Sequence, residues 1–178
     1  MHQKVVISGG PGTGKSTVIS FLEELEYKCM PELSRTVTRE AQKRGVDQLF
    51  LEDPLVFSEL LLNGRINQYR MAEEMHDELV FFDRGIPDVM GYLDYLGVSY
   101  PEIYRLKSAE LRYSKVFMMP PWEKIYRTDN ERYESYQQSM KIYEDLKSTY
   151  VRLGYEIEII PLASVENRVE FILQALGI

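Results

Sequence analysis

Cysteine is almost absent from this sequence: Cys29 is the only one in 178 residues. No intramolecular disulfide can form, which points to a reducing compartment and predicts a cytoplasmic protein. Beside Pro31, Cys29 reads as a half-buried structural thiol. No apolar run approaches the roughly 18 residues of a transmembrane helix, and the one in MHQKVVISGG is too short for a signal peptide. Membrane is therefore not an expected partner. His2 and His76 have no metal-ligand spacing to each other or to Cys29, and no catalytic triad is supported. Basic runs are missing too. With a formal net charge of −7, nucleic acid is not an expected partner either. Repeats, low-complexity tracts and Ser/Gly linkers do not occur, so residues 1–178 read as one domain.

What is present is a series of short apolar runs separated by helical patterns. Val5-Val6-Ile7, Tyr27 to Met30, Leu79 to Phe82, Val116 to Met119 and Ile157 to Ile160 read as five buried strands. Helices are predicted over Lys15 to Glu26, Leu33 to Arg44 and Asp53-Pro54 to Met75, with Asp53 as cap and Pro54 at the first helical position. Thr128 and Glu131 fit a capping box before a stripe of Tyr136, Met140, Tyr143, Leu146, Tyr150 and Leu153. Ser164 caps a last helix bearing Val165, Val169, Ile172, Leu173 and Leu176. Continuous apolar strands alternating with helices predict an α/β fold, a parallel sheet covered on both faces.

Between the first strand and the first helix stands Gly9-Gly10-Pro11-Gly12-Thr13-Gly14-Lys15-Ser16, a full G-x-x-x-x-G-K-[ST] match. Glycines let the backbone wrap so that its N–H groups point inward at phosphate oxygens, and the helix that follows adds its positive N-terminus. Gly10, Pro11, Gly12, Thr13, Gly14, Lys15, Ser16 and Thr17 are the expected nucleotide-binding residues, for ATP or GTP. Lys15 is placed to reach the β- and γ-phosphates, and the Ser16 hydroxyl to ligate Mg²⁺. Asp83, after the apolar run Leu79 to Phe82, is the matching Walker-B-like carboxylate and second metal candidate.

Arg84 follows at once; strand alternation points it away from Asp83, though the strand is ending. It is a candidate clamp for a transferring phosphoryl group or the acceptor, against the plainer reading of a surface ion pair. Arg127 and Arg132 belong either to a closing segment over the triphosphate, at about 121–135, or to helix-start chemistry. Glu32 follows the second strand, where parallel strands place ligands. On residues alone it reads more simply as a helix-start acid favoured by the dipole. Arg35 is the best placed of Arg35, Arg39 and Arg44 for a substrate contact, and Phe57, Tyr69 and Tyr92 are candidates to line an acceptor pocket or merely to pack.

With ISGGPGTGKST, PELSR, FFDRGIPD, PPWEKIYRTDNERYES and LGYEIEIIPLASVENRVEFIL in place, the chain resembles the small P-loop family containing the nicotinamide-riboside kinase domain of the bacterial NAD-biosynthesis regulator. Such proteins often carry a generic AAA-type label. More broadly, the order is similar to nucleoside and nucleotide kinases. That resemblance implies a three-layer P-loop fold with sheet order 2-3-1-4-5. It also implies Glu32 as catalytic base, Asp83 and Arg84 as the acid-arginine pair, Arg127 and Arg132 as lid arginines, and residues 161–167 passing near the nucleobase. The family's nucleotidyltransferase domain has no counterpart in these residues, and the sensor arginine regions of ring-forming AAA machines are missing.

The expected function is transfer of a phosphoryl group from Mg-ATP to a small nucleoside-like acceptor. The alternatives are a nucleotide-dependent binding module and an assembly-coupled NTPase. Homo-oligomerisation is left open.

Overall fold

The computed structural model describes residues 3–126 and 134–178. Five parallel strands, β1 (Gln3–Ser8), β2 (Lys28–Met30), β3 (Leu79–Asp83), β4 (Lys115–Met118) and β5 (Ile157–Ile159), lie in the order β2-β3-β1-β4-β5. The helices are α1 (Lys15–Glu24), α2 (Ser34–Lys43), α3 (Leu49–Glu52), α4 (Pro54–Glu74), α5 (Pro87–Leu96), α6 (Ile103–Glu110), α7 (Tyr136–Arg152) and α8 (Val165–Leu176). The expected three-layer P-loop architecture and strand order are observed.

The strands are apolar throughout because both faces are covered. Val5 and Ile7 join Phe81 and Phe117 in a core shared with α1 and α8. Val6, one residue out of phase, points the other way and joins Val80, Phe82 and Val116 against α4, α5 and α7. This is the period-two alternation of a strand, applied to residues that are all hydrophobic. β1 pairs with β3 on one side and β4 on the other, so the loop after β1 opens at the crevice where the connections diverge to opposite sides.

Four helices differ from or add to the sequence expectation, the one-turn α3 at Leu49–Glu52 among them. α7 starts at Tyr136; the capping pair expected at Thr128 and Glu131 lies outside the described residues. Ser135 makes the box instead: its hydroxyl accepts from the Gln138 N–H at 3.2 Å, while Gln138 Oε1 accepts from the Ser135 N–H at 2.7 Å. The buried stripe is Ile142, Tyr143, Leu146 and Tyr150, and Met140 is exposed, because the true stripe is rotated from the expected one. α5 and α6 were not anticipated. The first half of α5 is buried from Pro87 through Gly91, which erases the helical period that would announce it. Among the described residues no helix is long and apolar enough to cross a membrane.

Candidate active site

The loop between β1 and α1 takes the shape that its glycines permit. Gly14 holds φ 86° at the N-cap of α1, a left-handed conformation that costs other residues energy. Gly12, at φ 71°, also lies under the Tyr126 ring, and a Cβ there would come within 2.5 Å of it. Thr13 Oγ1 donates to the Gly10 carbonyl at 3.1 Å. Lys15 is buried; its Nζ donates to the carbonyls of Gly9 and Gly10 at 3.0 and 3.1 Å. Burial, and after it the nearby Arg84 charge, bring the Lys15 amine down to about 7.

One cavity of about 500 Å³ runs from this loop to the far ends of α2, α4 and α5. Its wall includes Pro11 through Thr17, Glu32, Arg35, Asp83 and Arg84, so the structure brings together the expected residues from three segments distant in sequence. Gly10 is tucked behind, where a Cβ would stand 3.0 Å from the Ser139 carbonyl oxygen of α7. Arg39 reaches the same wall as Arg35. Arg127 and Arg132 lie outside the described residues.

Asp83 is buried at the end of β3, and its Oδ1 has no hydrogen-bond partner. Burial pushes its carboxyl above the usual carboxylate range, against the pull of Lys15 and Arg84. An orphaned buried carboxylate oxygen, sharing a cavity with the exposed Ser16 hydroxyl, is a donor set that fits a hard divalent cation such as Mg²⁺.

Arg84 breaks the strand alternation that would have sent it away from Asp83. Its φ is +72°, one of two positive values among the described non-glycine residues. The turn redirects its side chain, so that Asp83 and Arg84 line the same cavity. The surrounding backbone is tied on every side. Arg84 N donates to Ile7 O at 3.1 Å, Gly85 N to Asp88 Oδ2 at 2.8 Å, and Ile86 N to the Tyr113 hydroxyl at 3.1 Å, while Arg65 Nη1 donates to the Gly85 carbonyl at 2.7 Å. The guanidinium stands 5.6 Å over the Tyr92 ring.

Glu32 stands both at the start of α2 and in the cavity wall. Its carboxylate accepts from the Ser34 N–H at 2.8 Å, from the Ser34 hydroxyl and from the Arg35 N–H at 3.3 Å, an acid at the start of α2. It also lines the cavity. Burial alone would raise its pKa; Arg84 and the Ser34 hydrogen bonds outweigh that and hold it at about 2.

Phe57 and Tyr92 line the cavity, and Tyr69 does not. The Tyr69 hydroxyl donates to the Arg112 carbonyl at 2.8 Å and its ring packs edge-on against Tyr113, inside the core behind α4. Cys29 is half-buried, and burial pushes its thiol up to about 12, an inert group.

Two buried charged residues of the cavity wall escaped the sequence reading. Asp88, 1% exposed, accepts from Ser8 Oγ at 2.5 Å, Gly85 N at 2.8 Å and the Tyr150 hydroxyl at 2.5 Å, joining β1, the β3–α5 turn and α7. Arg65, 4% exposed, interrupts the apolar stripe Leu61, Leu62, Ile66, Tyr69 and Ala72 of α4; a charge on a core-facing stripe was the available signal. On the other side of the loop, Arg168 donates Nε to Ala163 O at 2.8 Å and Nη1 to Thr13 O at 3.1 Å, and lies 4.8 Å from the Trp122 ring. The segment after β5 is thereby attached to the phosphate loop.

The loop, the carboxylate at the end of β3 and the sheet order define a P-loop fold. The chain belongs to the AAA domain family, whose model matches residues 4–168. Among solved structures it is similar to deoxyadenosine kinase from M. mycoides with the products dCMP and a flexible dCDP bound (TM-score 0.73, 14% identity, 98% of this chain and 99% of that one). It is similar to NadR protein in complex with NR (TM-score 0.75, 17% identity, 99% of this chain and 51% of that one). Thymidylate kinase from Candida albicans is a third (TM-score 0.70, 15% identity, 99% and 91%). At these identities the likeness is one of fold. No curated protein matches the sequence.

Proposed function

We propose that residues 1–178 act as one unit, a cytoplasmic phosphotransferase that moves the γ-phosphoryl group of ATP or GTP to a small nucleoside-like acceptor. The observation that carries this reading is the extent of the cavity. The cavity that holds the phosphate loop, Asp83 and Arg84 is also lined by Glu32 and by the apolar and aromatic side chains of Phe57, Leu61, Val89 and Tyr92. A switch or a simple NTPase needs the first set of residues and not the second. NadR protein is solved with NR, and the M. mycoides deoxyadenosine kinase with dATP and dCTP, which supports a small ligand of about the size of NR, and nucleotide binding, on this fold.

Backbone N–H groups of the loop and Lys15 bind the phosphates, and Lys15 moves its donors from the Gly9 and Gly10 carbonyls to the β- and γ-oxygens. Ser16 and Asp83 would hold Mg²⁺, which when bound neutralises charge on those oxygens. The acceptor oxygen attacks the γ-phosphorus, the bond from that phosphorus to the β,γ-bridging oxygen breaks, and the electron pair leaves with the nucleoside diphosphate. Arg84 stabilises the transferring group, joined by Arg127 and Arg132 in the lid role that the resemblance implies. Arg35 contacts the acceptor. Where the acceptor group is a hydroxyl, Glu32 orients it and takes its proton.

A phosphotransfer screen of the purified protein over nucleosides, nucleoside monophosphates, nicotinamide riboside and related sugars tests this. Diphosphate production that depends on one acceptor is expected. Equal diphosphate release with and without every acceptor would replace the reading by an NTPase. Glu32→Gln as control decides the role of Glu32: unchanged transfer to a hydroxyl would remove it from the mechanism.

A further inference from the structure

Arg168 is 3% exposed, and among the described residues no carboxylate pairs with it. Burial pulls its pKa below the ordinary arginine value, and no acid pulls it back. The guanidinium stays charged all the same, and a buried charge is costly unless an anion or strong acceptors meet it. Its acceptors are two backbone carbonyls: Nε donates to Ala163 O at 2.8 Å and Nη1 to Thr13 O at 3.1 Å. Nη1 also stands 2.9 Å from where a Cβ of Gly14 would lie, so the missing side chain at Gly14 makes room for the cation as well as for the turn. Arg168 is not in the wall of the large cavity, whereas Thr13, Gly14 and Lys15 are.

The Thr13–Gly14 peptide therefore stands between this cation and the cavity. It is trans, so its carbonyl and its N–H point in opposite directions. The carbonyl is taken by Arg168, and the Gly14 N–H donates to no described group. Resting on the reading of the loop as a nucleotide site, we propose that Arg168 is a positioning residue for the nucleotide phosphates and acts through the Thr13–Gly14 peptide. Its hydrogen bond fixes the plane of that peptide with the N–H on the phosphate side. It also draws electron density onto the carbonyl oxygen, and because the amide is conjugated the Gly14 N–H becomes a stronger donor. The polyphosphate is the counter-charge that Arg168 lacks, met across one peptide unit. The relation is reciprocal: an anion on the Gly14 N–H makes the Thr13 carbonyl a stronger acceptor for Arg168. Acting on phosphate, Arg168 works independently of the base.

Calorimetry of the native protein and of Arg168→Gln with Mg-ATP, Mg-GTP and Mg-tripolyphosphate tests this. Arg168→Gln is expected to weaken binding of nucleotide and of tripolyphosphate alike, by about tenfold or more. Arg168→Lys, which returns a cation behind the loop, should recover at least about threefold of that loss. A second measurement needs no substitution and holds whether or not the variants fold. Nitrogen–proton NMR of the native protein follows the Arg168 guanidinium, and its Nη1–H signal should move downfield as Mg-tripolyphosphate fills the loop. Unchanged affinity in Arg168→Gln, equal losses in the two variants, or an Arg168 signal that stays still on filling would each overturn the proposal. So would a loss confined to the nucleotides, which would leave Arg168 only the task of holding the segment after β5. Every readout is one of binding, so a failure of phosphotransfer would overturn the phosphotransferase reading alone. A native protein that binds none of the three probes would overturn this proposal, and the nucleotide reading with it.

Discussion

Asp88 Oδ2 accepts the Gly85 N–H at 2.8 Å, and that bond closes the turn on which Arg84 stands. The same carboxylate accepts hydrogen bonds from the hydroxyls of Ser8 and Tyr150. Asp88 therefore aims Arg84 without having to touch a ligand. Asp88→Asn replaces one acceptor oxygen by a donor that faces other donors. Phosphotransfer is expected to fall about tenfold or more, with Mg-nucleotide affinity changed less than about twofold. Because the effect passes through Arg84, the same substitution made in Arg84→Ala should cost nothing further. A double-mutant cycle on kcat measures this, and additive losses would assign Asp88 a purely structural role.

Arg84→Gly separates stability from function. Glycine accepts a φ of +72° freely, whereas arginine holds it at a cost of about 1 kcal/mol. The melting temperature is expected to rise by about 2–4 °C while phosphotransfer drops. A melt below that of the native protein would show that the guanidinium's contact with Tyr92 and its attraction to Glu32 together outweigh the backbone strain.

Lys15 couples nucleotide binding to protons. Its amine sits at about 7 because it is buried beside Arg84, and a polyphosphate draws it back toward its ordinary value. Below pH 7 the amine is already charged; above it, binding must take up a proton, so triphosphate affinity falls from pH 7 to pH 9. Calorimetry at pH 8 in buffers of different ionisation enthalpy should find uptake approaching one proton. Lys15→Arg, charged throughout, should abolish that uptake.

Glu32 governs part of the acid limit. Its folded pKa of about 2 lies below the ordinary carboxylate value. The stability that it contributes is therefore complete above about pH 4.5 and is lost as pH falls toward 2. Denaturant titrations of native protein and Glu32→Gln should differ by about 1–2 kcal/mol at pH 6 and converge by pH 2. A gap that stays constant down to pH 2 would contradict the Arg84 and Ser34 interactions as its source.

The phosphate loop was legible because its chemistry is local: eight consecutive residues set the turn, the cation and the hydroxyl. The strands were legible because burial on both faces leaves them apolar. Asp83 could be read from its place after Leu79 to Phe82. Arg84 could be named but not aimed, since alternation puts it on the wrong side and only the left-handed turn corrects that. Asp88 was invisible because its partners Ser8 and Tyr150 are 80 and 62 residues away. α5 hid for the opposite reason from most missed helices, being too buried at its start to show a polar face.

Trp122 is the only tryptophan, and its ring lies 4.8 Å from the Arg168 guanidinium that donates to the Thr13 carbonyl. Indole emission from this protein thus comes from a single position one residue removed from the phosphate loop. A cation against the ring and its distance from it both affect fluorescence yield, so filling the loop should be visible as a change in light without any attached dye. The molecule carries its own optical gauge of nucleotide occupancy, usable on every variant that leaves Trp122 and Arg168 in place.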